Sequence, residues 1–110
     1  MHAMLPLLDR LAFPAIRRGA LQALQVNLTY TCNQRCLHCH VNAGPTRTER
    51  LSDEGLALLY QVIDAHPVQT LDLTGGAPEM HPRFREIVSH ARREDLRVID
   101  RCNLTILSEP

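Results

Sequence analysis

Leu56, Leu59, Tyr60 and Ile63 recur at helical spacing in "RLSDEGLALLYQVIDAHP", which predicts an amphipathic helix. Ser52 suits its N-cap, Asp53 and Glu54 suit the positive end of its dipole, and Pro67 stops it. A second stripe, Phe84, Ile87, Val88 and Ala91, follows Pro82, a residue favoured in a first helical turn. Three segments read instead as strands. They are "LQVNLTY" at 24–30, "TLDLTGG" at 70–76 and "LRVIDRCNLTIL" at 96–107. Near the start, Leu5, Leu8, Leu11 and Ala12 suggest a short amphipathic helix over residues 4–12.

The predicted order is β-α-β-α-β after a short N-terminal helix. Two right-handed βαβ units imply an α/β fold with a parallel sheet. Functional groups in such sheets gather where strands end at their carboxyl side. A cysteine-rich loop leaves the first strand there, "GGAPE" leaves the second, and Asn103 lies toward the end of the third. Three separate features thus converge on one face.

Composition narrows the class. The 110 residues allow one small domain, and its core must be aliphatic, since Trp is absent and only two Tyr and two Phe occur. Formal net charge is zero, which argues against nucleic acid as a partner. No apolar run approaches the roughly 20 residues that cross a bilayer. Pro6, Asp9 and Arg10 interrupt the first stretch, so it makes a poor signal peptide. The expected location is therefore the cytoplasm, where thiols stay reduced and clustered cysteines suggest metal or catalysis.

Three of the four cysteines fall in "CNQRCLHC", as Cys32, Cys36 and Cys39. A structural zinc could take three thiolates plus His38 or His40, yet such sites usually pair two knuckles distant in sequence. A disulfide would leave an odd thiol in a reducing compartment, and a redox pair at Cys36 and Cys39 would not need Cys32. A cubane iron–sulfur cluster fits best, because three thiolates on one tight loop hold three irons and leave the fourth open to a ligand. Asn33, Gln34 and Arg35 offer donors that could face the cluster sulfurs. Cys102 reads as a buried strand residue.

C-x3-C-x2-C after a first strand, followed by "TGGAPEMHP", resembles the radical S-adenosylmethionine (SAM) superfamily. The resemblance implies that Cys32, Cys36 and Cys39 hold a 4Fe–4S cluster whose open iron chelates the methionine end of SAM. It further implies that His38 lies near the adenine and that Gly75 and Gly76 let backbone approach the methionine amino group. The acidic residue usual after the glycines is Ala77 here, so Glu79 is the nearest candidate for that contact. Asn103 matches the place of a Thr-Asn-Gly element, with Leu104 in place of the glycine.

A narrower resemblance extends over "LQVNLTYTCNQRCLHCHVNAGP", "TLDLTGGAPEMHPRFREIV" and "VIDRCNLTIL". Together they look like the radical SAM/Cys-rich proteins of arsenosugar biosynthesis, a branch that itself reads Gly-Gly-Ala-Pro-Glu. The implied chemistry is one-electron cleavage of SAM to methionine and a 5′-deoxyadenosyl radical, which joins a methylated trivalent arsenical. A flavodoxin or ferredoxin is implied as electron donor. On this reading residues 1–23 are an N-terminal extension. Residues 24–110 are then an incomplete core, the first three strands and two helices of a partial TIM-type (βα)6 barrel in a longer enzyme. A rival reading is a non-catalytic module holding zinc or an electron-transfer cluster.

Overall fold

The computed structural model describes residues 4–109. Its order is α1 (Leu5–Leu8), β1 (Ala23–Thr29), α2 (Asp53–Ala65), β2 (Thr70–Gly75), α3 (Phe84–Arg93) and β3 (Arg97–Asp100). Single 3-10 turns follow β2 at Pro78–Met80 and β3 at Thr105–Ser108. The strands form one parallel sheet in the order β1-β2-β3. The expected α/β, all-parallel arrangement is therefore present.

Parallel pairing sets Leu24, Leu71 and Val98 side by side on one face of the sheet. Both long helices cover that face. Leu56, Leu59 and Ile63 of α2 and Ile87 and Ala91 of α3 join Leu28, Leu71 and Leu73 in a single buried cluster. The Ser52 hydroxyl accepts the Gly55 N–H at 3.1 Å, so the expected cap is made. Leu71 is fully buried at the centre of the cluster. Leu71→Ala is expected to cost about 2–5 kcal/mol and Ser52→Ala about 1 kcal/mol, read as shifts of a urea-unfolding midpoint.

Two sequence expectations fail. Only Leu5–Leu8 of the proposed 4–12 helix is helical, and none of its residues is buried. Leu5 and Leu11 remain exposed, and one turn without a packing surface does not offset the cost of helix nucleation. The third strand is four residues long rather than twelve. Its ladder ends where the Arg101 N–H reaches the Leu73 carbonyl at 3.0 Å, while β2 runs on to Gly75 against β1 alone. Leu104 then takes a left-handed φ of 68° and turns the chain into the second 3-10 turn. Asn103 and Cys102 consequently lie beyond β3, not in it.

His81 ties the turn after β2 to the entry of α2. It is buried, and its Nδ1 accepts the Arg83 N–H at 3.1 Å. That fixes the tautomer, so Nε2–H donates to the Leu51 carbonyl at 2.9 Å.

Candidate functional site

The cysteine loop begins where β1 runs out and is folded back onto the end of that strand. Tyr30 N–H donates to the Glu49 carbonyl at 2.9 Å, and Gly44 N–H to the Tyr30 carbonyl at 3.2 Å. The Thr31 hydroxyl donates to the Arg47 carbonyl at 2.7 Å, and Cys32 N–H to the Gly44 carbonyl at 3.2 Å. Arg47 lies over the Tyr30 ring, 4.8 Å from its centroid. These contacts pin both ends of the loop, so the chain between Cys32 and Ala43 is held as a closed turn.

Glycine closes the other side. A Cβ on Gly76 would stand 2.4 Å from the Thr31 carbonyl oxygen, and one on Gly75 would stand 2.4 Å from that of Thr29. Gly75 also has φ of +134°, a region that side chains avoid. The close approach lets Gly76 N–H donate to Thr29 at 2.7 Å and Ala77 N–H to Thr31 at 2.9 Å. The glycine pair thus seats the end of β2 against the root of the cysteine loop.

A cavity of about 200 Å3 opens between these parts. Cys32, Cys36, His38, Cys39, Gly75, Gly76 and Asn103 all line it. The three chain segments therefore meet as their order along the sheet suggested. Glu79 stands apart, in an adjoining groove of about 940 Å3 that it shares with Cys32 and His81.

The sulfurs of Cys32 and Cys39 accept N–H donors. Ala43 N–H points at Cys39 Sγ from 3.3 Å. Donors from Ala43 first, then Val41 and Asn42, hold the Cys39 thiol below its ordinary value. Cys32 Sγ accepts the Gln34 N–H at 3.4 Å and the Asn103 Nδ2–H at 3.5 Å. Asn103 is oriented for this, since its Oδ1 accepts the Ile106 N–H at 3.0 Å and so turns the amide nitrogen toward sulfur. Arg35 points elsewhere, donating to the Thr46 hydroxyl at 3.3 Å. Thiolate sulfurs met by N–H donors suit a thiolate-ligated cluster. Among the described residues, the three loop sulfurs do not form a trio with every separation within 4.8 Å. Thiolates on one tetrahedral zinc stand about 3.8 Å apart, whereas those of a cubane sit on different irons and lie farther apart.

Sequence reasoning missed the surroundings of Glu79. Its carboxylate, that of Asp100 and the Cys102 sulfur lie within 4.8 Å of one another. Burial, then Glu79, push Asp100 up to about 7. Glu79, then burial, push the Cys102 thiol up. Glu79 carried a signal as the carboxylate nearest the glycine pair and Cys102 as the fourth cysteine; Asp100 carried none. Because the folded carboxyl of Asp100 holds its proton more tightly than the unfolded one, stability falls as pH rises from about 4 to about 7. Asp100→Asn is expected to remove that slope. With chelator present, the variant should gain on the order of 1 kcal/mol at pH 8 after allowance for the exposure of Asp100, and nothing at pH 4. Thermal midpoints across that range check it.

The family model of the Radical SAM superfamily matches residues 26–109. The sporulation killing factor maturation protein SkfB of Bacillus subtilis is 36% identical over 63 residues, covering 57% of this chain and 15% of that protein. A probable GTP 3',8-cyclase of Metallosphaera sedula is 32% identical over 80 residues, covering 72% of this chain and 25% of that protein. The GTP 3',8-cyclase of Chlorobaculum tepidum is 30% identical over 69 residues, covering 63% and 21%. The chain spans about a quarter or less of the length of these relatives. No solved structure matches it significantly. Superfamily members are enzymes that use a 4Fe–4S cluster and SAM. Among the described residues, no helix is long and apolar enough to cross a membrane. With the match running from within β1 to beyond the turn that carries Asn103, the chain belongs to the radical SAM superfamily.

Proposed function

We propose that this chain is the cluster- and SAM-binding portion of a radical SAM enzyme, with Cys32, Cys36 and Cys39 as ligands of a 4Fe–4S cluster. The observation that carries the reading is the single cavity lined by those cysteines, by Gly75 and Gly76 and by Asn103. When bound, the cluster supplies the electron that cleaves SAM to methionine and a 5′-deoxyadenosyl radical. The chain's own part is to bind and orient. Ala43 directs its N–H at the Cys39 sulfur, and Gln34 and Asn103 direct theirs at the Cys32 sulfur. His38 lies at the rim, where its flat ring can stack on adenine. The glycine pair keeps the floor free of side chains for the methionine end. Glu79, one groove away, is the carboxylate candidate for the methionine amino group.

The barrel reading follows from the same elements. Strand order β1-β2-β3 with both long helices on one face is what the first units of a (βα)6 barrel require. Residues 24–110 are then core and residues 1–23 an extension. The proposed reaction is adenosylation of a methylated trivalent arsenical, with flavodoxin or ferredoxin as donor, in the cytoplasm. Its support is the Gly-Gly-Ala-Pro-Glu sequence and the flanking segments.

Anaerobic reconstitution of the chain with iron and sulfide, read by metal counting and by EPR with and without SAM, tests the cofactor reading. About four irons and a SAM-perturbed spectrum are expected. Zinc held by the loop cysteines in place of iron would overturn it. The substrate reading is tested in the longer enzyme by mass spectrometry for a deoxyadenosylated arsenical. Asn103→Ala is expected to keep the irons but lower the cluster potential, since a donor to a ligand sulfur is lost; redox titration followed by EPR checks this.

A further inference from the structure

A second donor cluster sits at the carboxyl end of β3, outside the cavity of the cysteine loop. A carboxylate oxygen of Glu79, one of Asp100 and the Cys102 sulfur lie within 4.8 Å of one another. They come from two pieces of chain, the 3-10 turn after β2 and the end of β3 with its continuation. Both oxygens of Glu79 are buried without a hydrogen-bond partner, the only such side-chain atoms among the described residues. A buried carboxylate left this way costs several kcal/mol unless a proton or a cation meets it. The neighbouring Arg101 does not, because it is spent on Asp72 in a two-pronged pair at 2.8 and 2.9 Å. Asp100 is the exposed member of the trio and gives an ion and its water a way in.

We propose that Glu79, Asp100 and Cys102 form a binding site for one divalent cation of zinc type, with a solvent water as fourth ligand. The donor set selects the metal class. Magnesium and calcium seek oxygen alone, whereas zinc accepts thiolate and carboxylate together. Zinc bonds of about 2.3 Å to sulfur and 2.0–2.2 Å to oxygen set such donors about 3.5 Å apart, which small side-chain rotations reach from the present spacing. The ion takes the place of the protons on Asp100 and Cys102 and clamps the end of β3 to the turn after β2. Asn103, the residue after Cys102, is thereby steadied where it reaches Cys32. This site does not depend on the cluster reading, and a Glu79 that holds the ion is not free for the methionine amino group.

Two preparations test it. One is the Cys32→Ala/Cys36→Ala/Cys39→Ala chain, in which Cys102 is the only thiol. The other is the wild-type chain after iron–sulfur reconstitution, which needs no substitution and whose loop thiols are occupied. Cobalt(II) titration of the first is expected to show one equivalent with a thiolate charge-transfer band. The band should vanish with Cys102→Ala, and affinity should fall at least about tenfold with the near-isosteric Glu79→Gln, whose fold is checked by circular dichroism. Zinc counting on the second should find one zinc beyond the iron. Cobalt bound without the thiolate band, or Glu79→Gln binding as tightly as its parent, would overturn the site. So would the absence of bound cobalt from the first preparation and of zinc from the second, which would leave the Asp100 proton as the occupant.

Discussion

Replacing any one of Cys32, Cys36 or Cys39 by alanine is expected to drop reconstituted iron from about four per chain to nearly none, while Cys102→Ala leaves the iron count intact. The physical reason is that three ligands on one turn act as a unit. Removing one leaves an iron with solvent where thiolate was, and a cluster held by two bonds on a single loop is open to loss. The folded state should survive each change. Cys36 is exposed and contributes nothing to the core, and Cys32 and Cys39 pack only in a small cluster with Ala43 and Ala77. Iron and sulfide analysis beside circular dichroism separates loss of cluster from loss of fold. Equal iron retention by all four variants would sink the assignment.

Gly76→Ala and Gly75→Ala should be the most damaging single-methyl additions in the chain, each costing on the order of 2–4 kcal/mol. The obstacle at both positions is backbone, so no rotamer change relieves it. At Gly76 the new methyl meets the Thr31 carbonyl at 2.4 Å and the Ala43 methyl at 3.0 Å. Relief requires β2 to move away from the root of the cysteine loop, which breaks the bonds from Gly76 and Ala77 to Thr29 and Thr31. Gly75 adds its positive φ to a contact of equal severity. By contrast, Gly19→Ala meets nothing and should be silent. Chemical unfolding of the three variants makes the comparison, with iron uptake expected to fall in step with stability in the first two.

The long helices were legible because their apolar stripes have a face to meet. Leu56, Leu59 and Ile63 are the buried residues of α2, and Ser52 caps it as its chemistry dictates. The convergence of cysteines, glycines and Asn103 was legible too, since it follows from strand order alone. What was not legible depended on partners. The apolar run after Asp100 reads as strand, yet its pairing with β2 stops at Leu73, and the Asn103 side chain captures the Ile106 N–H and bends the chain away. The glycines read as room for a ligand; their first task is to let two pieces of backbone touch. The clustering of Glu79 with Asp100 and Cys102 joins residues more than twenty positions apart, and no local periodicity encodes that.

The other face of the sheet is turned away from the helices. Gln25 and Asp72 sit opposite each other there, and Arg101 closes over the carboxylate, which it holds well below the usual range. An oily cap laid on that surface would strand a charge pair and an amide without water. Anything that comes to lie against it must therefore bring hydrogen-bonding groups of its own or enclose solvent.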